Sequence, residues 1–254
     1  MTALALPTSP AACPRLVDDA PVLAWTGIAL AALCLPLALA VLLDGRSVDG
    51  EAAFLKPLKF AAALALFALT LAWSARLLPT PVRHRRGLAR FDSVVAICIW
   101  AEVAWIAGAA ALGVRSHYNE TQPLLAAVYP VMGLVALTLT AGALVRGWLV
   151  LRHGTGPIAP AVGWSFVATF ALTVPVAMAL SAVRPDGAGV PLLGWTLLPG
   201  DLRPAHFLAV HAMQAVPLAA AALLALRLPP RGRTLTAAWS ALTLAAFAYG
   251  LGAV

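Results

Sequence analysis

Five side chains able to move protons or hold an ion, Asp201, Arg203, His206, His211 and Gln214, fall inside GDLRPAHFLAVHAMQAV at residues 200–216. Two more stretches have a similar character. FLKPLKFA at 54–61 carries Lys56 and Lys59, and GVRSHYNE at 113–120 carries Arg115, His117 and Asn119. Glu102 stands alone in the apolar run IWAEVAWIAG. These residue types suit three chemistries. His117, His206 and His211 could serve as imidazole ligands, with Asp201 or Glu102 as the carboxylate of a zinc or iron site. His206 or His211 opposite His117 could hold one haem b between two axial nitrogens. Alternatively, His117, His206, His211, Glu102 and Asp201 could handle protons while Lys56, Lys59, Arg115, Asn119, Arg203 and Gln214 bind an anionic or lipid-like ligand. The spacing weighs against a metal on one helix stripe. His206 and His211 are five apart, about 140° around a helix, whereas paired ligands usually sit three or four apart.

The elements that must position these groups are read from composition. Of 254 residues, 62% are hydrophobic and 11% charged, far from the roughly 25% charged usage of water-soluble domains. Apolar runs near 22–43, 57–78, 92–113, 123–145, 158–183, 204–228 and 235–254 each approach the roughly 20 residues needed to cross a bilayer. The expected fold is all-α, a polytopic bundle of seven transmembrane helices. Residues 1–21 form a cytoplasmic amino-terminal segment and 22–254 a single membrane domain. The first 21 residues lack a basic start followed by an apolar stretch, so they do not read as a cleaved leader.

Charge sets the expected orientation. Arg15, the group Arg76, Arg83, Arg85, Arg86 and Arg90, the pair Arg146 and Arg152, and the group Arg227, Arg231 and Arg233 are eleven of the seventeen basic residues. All fall on one side of an alternating topology. The bias of basic loops toward the cytoplasm puts the amino terminus inside and the carboxyl terminus outside. Trp25, Trp73, Trp148, Trp164 and Trp239 lie at the same ends of their spans, as an interfacial aromatic belt requires. The net charge of +7 therefore reflects a membrane surface and not a nucleic acid partner. The expected location is the inner, plasma membrane, with its lipids as partners. His84 and His153 read as solvated loop residues. Cys13, Cys34 and Cys98 lack a disulfide or metal-ligand spacing and read as apolar fillers.

In this topology the unusual residues share the outer boundary. Asp44, Asp49, Glu51, Glu120, Asp186 and Asp201, six of the ten acidic residues, lie in the outer loops, and all three polar stretches open there. On a helix at about 100° per residue, Arg203, His206, His211 and Gln214 occupy one arc of about 140°. Lipid would penalise that face by about 2.5–3.5 kcal/mol for each ionised group at mid-membrane, so it should point inward. Glu102 and Gln214 come out at about equal depth, roughly 15 Å. If the third and sixth spans are neighbours, Glu102 could accept a hydrogen bond from Gln214 or His211.

FLKPLKFA, the run from Glu102 to GVRSHYN, and GDLRPAHFLAVHAMQAVPL resemble motifs of a family of bacterial multi-spanning integral membrane proteins for which no activity is established. The similarity covers residues 44 to about 220. The third-span motif of that family reads RGxxSHFN; here Arg115 is followed by Ser116, so its glycine is missing, and Tyr118 replaces Phe. The resemblance implies a shared site and is silent on its reaction. The functional expectation is a membrane-embedded enzyme or redox protein with an outward-facing polar site for a lipid-like or anionic ligand. The alternatives are a proton-coupled transporter or sensor with Glu102 and His211 as relay, and a scaffold whose polar face only fixes helix packing.

Overall fold

The computed structural model describes residues 16–119, 122–182, 189–190 and 193–252. Most of the amino-terminal segment, with Arg15 and Cys13, lies outside the described residues, as do Glu120 and Asp186. The described chain is all-helical apart from one short hairpin. After a single turn, α1 (Leu16–Asp19), come α2 (Pro21–Leu43), α3 (Leu55–Ser74), a turn α4 (Thr80–Arg83), α5 (Arg86–Ala111), α6 (Pro123–His153), α7 (Ala159–Ala182), α8 (Arg203–Ala225) and α9 (Gly232–Gly250). Six of these, α2, α3, α5, α6, α7 and α8, are long and apolar enough to cross a membrane. The protein is thus a multi-pass membrane protein. The seventh expected span corresponds to α9, a helix of 19 residues packed along α7 and α8.

Their apolar surface runs all the way around, as lipid-facing helices require. Leu35, Leu42 and Leu124 are largely exposed, while the interior is built from Leu23, Leu30, Leu71, Val95, Ile99 and Phe166 with many alanines between them. Small residues matter because lipid tails provide no hydrophobic drive for helix association, which depends on close packing. The α6–α7 contact shows this. A Cβ on Gly147 would lie 2.8 Å from the Gly163 carbonyl oxygen, and one on Gly163 would lie 2.6 Å from Leu151 Cγ.

Consecutive helices alternate in direction, so the bundle has two chemically distinct ends. At the arginine-rich end, the Thr155 amide donates to the Leu77 carbonyl at 2.9 Å. Asp19, 7% exposed, is held there by Arg76 at 3.0 Å and Arg83 at 2.9 Å, which fastens α1 to the connection between α3 and α5. At the opposite end, the Gly200 amide donates to Gly250. A two-stranded hairpin, β1 (Ser47–Val48) with β2 (Glu51–Ala52), lies between α2 and α3. Its Asp49-Gly50 turn has φ of 55° and 79°, the left-handed pair that tight hairpins need and Asp-Gly supplies.

Two boundaries differ from expectation. The third span begins at Arg86 and the fourth continues to His153, so Arg146 and Arg152 belong to a helix and not to a loop. Arg146 is 2% exposed, and its Nη2 donates to both Asp92 carboxylate oxygens at 2.8 and 2.9 Å. A buried cation is tolerable here because α5 supplies its counter-charge in the same layer.

Candidate functional site

The polar residues gather at one end of the bundle, but in two groups. The first is centred on His117. Directly after the hairpin, α3 begins with Leu55-Lys56-Pro57, where a proline near the helix start loses no hydrogen bond. Lys56 and Lys59, three apart, share a face. Lys59 pairs with Glu51 of the hairpin at 3.0 Å. The Lys56 ammonium does not extend toward headgroups; it donates to His117 Nδ1 at 3.3 Å. The connection from α5 to α6 folds back over the bundle end, bringing His117 Nε2 to 3.7 Å from Glu102 Oε1. Glu102 is 4% exposed, and its other oxygen, Oε2, is buried with no hydrogen-bond partner.

The returning segment is fixed at several points. Trp105, one turn beyond Glu102, donates from its indole nitrogen to the Ser116 carbonyl at 3.0 Å. Tyr118 adopts a left-handed φ of 55°, uncommon for a bulky residue, and its hydroxyl donates to the Leu180 carbonyl of α7. Burial and neighbouring Tyr129 push the Tyr118 phenol up to about 12, so it remains a donor. Asn119 donates to the Arg115 carbonyl at 2.9 Å and accepts from the Gln122 amide at 2.9 Å. It acts as a loop clamp. Arg115 pairs with Asp49 at the hairpin tip. Phe60 and Tyr129 flank the imidazole, with ring centroids at 6.3 and 5.4 Å.

Ser116, a residue whose type and position carry no sequence signal for a role, places its hydroxyl 2.9 Å from His117 Nδ1. The imidazole therefore has a hydroxyl and an ammonium at one nitrogen and a carboxylate beyond the other. Burial, then the Lys56 charge, pushes the His117 pKa down to about 3. The ring is neutral at ordinary pH, so its contact with Glu102 is an N–H facing a carboxyl and not an ion pair. A pH dependence follows. The unfolded chain protonates His117 near 6.5 and the folded chain only near 3, so the stabilising contribution is complete above about 6.5 and is lost as pH falls between those values. Thermal unfolding of detergent-purified protein should show a midpoint falling from pH 6.5 toward 4, and His117→Asn should reduce that slope.

The second group is on α8. Asp201, 3% exposed, accepts from the Thr196 amide at 2.7 Å, the Arg203 amide at 3.0 Å and the Arg203 guanidinium at 2.8 Å. Burial works against its charge, but these hydrogen bonds outweigh it and hold the carboxyl below its usual range. Both Asp201 and Arg203 are thus engaged in closing the start of α8. Gly194 passes so close to Glu51 that a Cβ there would lie 2.2 Å from its Oε1 and 3.8 Å from Arg203 Nη1. Its φ of +73° also needs glycine. The Lys59–Glu51 and Asp201–Arg203 pairs therefore flank the same stretch of chain.

Deeper on α8, His211 stacks on Phe207 with centroids 4.0 Å apart, and its Nδ1 contacts the Phe207 carbonyl at 2.8 Å. His206 Nδ1 is buried without a partner. Gln214 donates to Thr70 of α3 at 3.1 Å, and its carbonyl oxygen is also buried without a partner. The sequence leaves open whether the third and sixth spans are neighbours, and α5 and α8 share no extensive contact. The helices packed most extensively on α8 are α7 and α9, while α5 packs chiefly on α6, α3 and α2. Glu102 therefore meets His117 and Lys56 in place of Gln214 or His211. Among the described residues, no three His, Cys, Asp or Glu side chains converge as a metal ligand set. His117 does not join His206 and His211 as a metal ligand set among the described residues: the first sits on the α5–α6 connection and the other two on α8, which packs chiefly on α7 and α9.

Beside the first group, an apolar groove of about 410 Å³ runs along α5 and α6, lined by Ala104, Trp105, Gly108, Leu112 and Leu125 among others. Its Trp105 is the residue that anchors Ser116. Comparison with protein-family models, with curated proteins and with solved structures finds no match to this chain.

Proposed function

We propose that the protein crosses the inner membrane seven times, amino end in the cytoplasm and carboxyl end outside, and that its outward-facing Lys56–His117–Glu102 cluster is the acid–base centre of a membrane-embedded enzyme acting on a lipid-like or anionic ligand. The seventh span is α9, and the arginine-rich end is the cytoplasmic one by the bias of basic residues. The observation that carries the reading is the neutral imidazole between a hydroxyl and an ammonium on Nδ1 and a buried carboxyl beyond Nε2.

This order of groups can pass a proton. When Nδ1 takes one from Ser116 or Lys56, the ring becomes a cation whose Nε2 proton faces Glu102 Oε1. The 3.7 Å separation is longer than a hydrogen bond by less than about 1 Å. Closing that gap passes the Nε2 proton to the carboxylate and leaves a neutral imidazole protonated on Nδ1. The ammonium of Lys56 is suited to an anionic head, and the groove at Trp105 to an apolar tail. The separation of the histidines withdraws support from a shared metal, so the reading rests on proton transfer.

The test uses the full chain reconstituted in vesicles of bacterial phospholipid. Lipids are analysed by mass spectrometry after incubation with wild type, Glu102→Gln, His117→Ala and Ser116→Ala, and infrared difference spectra follow the Glu102 carboxyl across pH. Wild type should convert a lipid species, and loss of the acid or base should slow conversion by about 10²-fold or more. The carboxyl band absent from Glu102→Gln should change its titration midpoint in His117→Ala. A band indifferent to His117, with no lipid converted, would overturn the proposal. A second reading, proton-coupled transport, draws on the buried unpartnered atoms Glu102 Oε2, Thr173 Oγ1 and Gln214 Oε1, which would suit internal water. Proton flux lost in Glu102→Gln, with the lipids unchanged, would favour it.

A further inference from the structure

The arginine-rich end carries a separate feature that the acid–base centre does not use. A groove of about 530 Å³ opens between the last turn of α6, the first of α7 and the start of α9, lined by Leu151, Gly154, Trp164, Arg231, Arg233 and Thr234 among others. Its walls are fixed. Gly232 lies so close to α7 that a Cβ on it would be 2.6 Å from Ala161 Cα, which bolts the start of α9 in place between Arg231 and Arg233. Arg231 itself takes a left-handed φ of 42°. The Arg233 guanidinium lies over the Trp164 ring at 5.5 Å, and nearby Arg152 lies over Trp148 at 5.0 Å.

Among the described residues, the charge in this groove has no ion-pair partner. Neither 146–164 nor 227–234, the stretches that build it, contains an acidic residue. None of Arg152, Arg231 and Arg233 forms an ion pair among the described residues, whereas Arg76 and Arg83 share Asp19, Arg146 has Asp92 and Arg203 has Asp201. Two guanidinium groups facing one cleft, with an indole beneath one of them, form a cradle for a phosphate. The rim points to where that phosphate comes from. Leu151 and Trp164, which line the groove, are exposed near the ends of the apolar helices, so a ligand with its head in the cleft would lay its chains along an apolar wall.

We infer that this groove binds the headgroup phosphate of an anionic membrane phospholipid. Basic clefts between membrane helices are suited to such headgroups because each guanidinium near the surface adds attraction that a zwitterionic lipid does not return. A freely soluble phosphate would make no use of the apolar rim.

The full-length protein, delipidated in detergent, is titrated with phosphatidylglycerol or with phosphatidylcholine of identical chains, and bound lipid is counted by native mass spectrometry. Variants are Arg231→Gln with Arg233→Gln, and, as a control of equal charge change, Arg85→Gln with Arg86→Gln. Wild type and the control pair should retain phosphatidylglycerol over phosphatidylcholine by about tenfold or more, and the groove pair should lose that preference. Should the groove pair not fold, Arg233→Gln alone, an exposed position, should lower the preference at least several-fold. Three results would each overturn the inference: unchanged retention in the groove variants, equal loss in both pairs, which marks diffuse surface charge, or displacement of the lipid by millimolar inorganic phosphate, which marks a soluble-anion site.

Discussion

Arg146→Ala is expected to destabilise the protein by about 3 kcal/mol, the lower end of the cost of breaking a buried pair, because the Asp92 carboxylate left behind is 14% exposed. Arg146 is 2% exposed, and its Nη2 reaches both oxygens of Asp92. The loss should appear as a lower thermal midpoint in detergent and as poor recovery from membranes. Removing both charges should behave differently. Asp92→Leu with Arg146→Met replaces the pair by apolar groups of similar reach, and such exchanges are often neutral or stabilising. A double-mutant cycle that found the two single losses simply additive would show that the pair does not act as a unit.

Gly147→Leu should cost about 3 kcal/mol through overpacking. The first atom of any side chain at this position would fall 2.8 Å from both the Gly163 carbonyl oxygen and Phe166 Cβ, and 2.9 Å from the Val167 amide nitrogen. Two of those three are backbone atoms, so α6 and α7 would have to separate. Gly133, on the same helix, has nothing within 4 Å of its would-be Cβ. Gly133→Ala should therefore be neutral or stabilising by up to about 1 kcal/mol, from helix propensity alone. Melting curves of Gly147→Ala and Gly133→Ala that coincide would refute the close α6–α7 contact.

These two positions also mark what the sequence could and could not disclose. The spans were legible because lipid demands a continuous apolar run, and the gathering of Lys56, Glu102, His117 and Asp201 at one end followed from alternating direction. Which helices touch was not legible. An apolar surface all round leaves no stripe to point at a neighbour, so Glu102 and Gln214 matched in depth yet lie on helices with no extensive contact, Glu102 facing His117 and Gln214 bonding Thr70. Arg146 was misplaced because its charge was read as ending a span, although Leu144, Val145, Trp148 and Leu149 continue the apolar pattern on both sides and Asp92 stands in the preceding span. Asp-Gly at 49–50 carried a hairpin signal that could have been used. Ser116 gave no signal of its own, since only the folding back of its loop brings the hydroxyl to His117.

The clamp on Asp19 has a bearing on biogenesis. This carboxylate leaves the ribosome first, whereas its partners Arg76 and Arg83 follow 57 and 64 residues later. It can be neutralised only after α2 and α3 have both been delivered and the chain has turned back, so the opening pair of helices is sealed as one parcel. A nascent chain cut short of Arg83 would have only part of this latch, because Asp19 draws on both arginines.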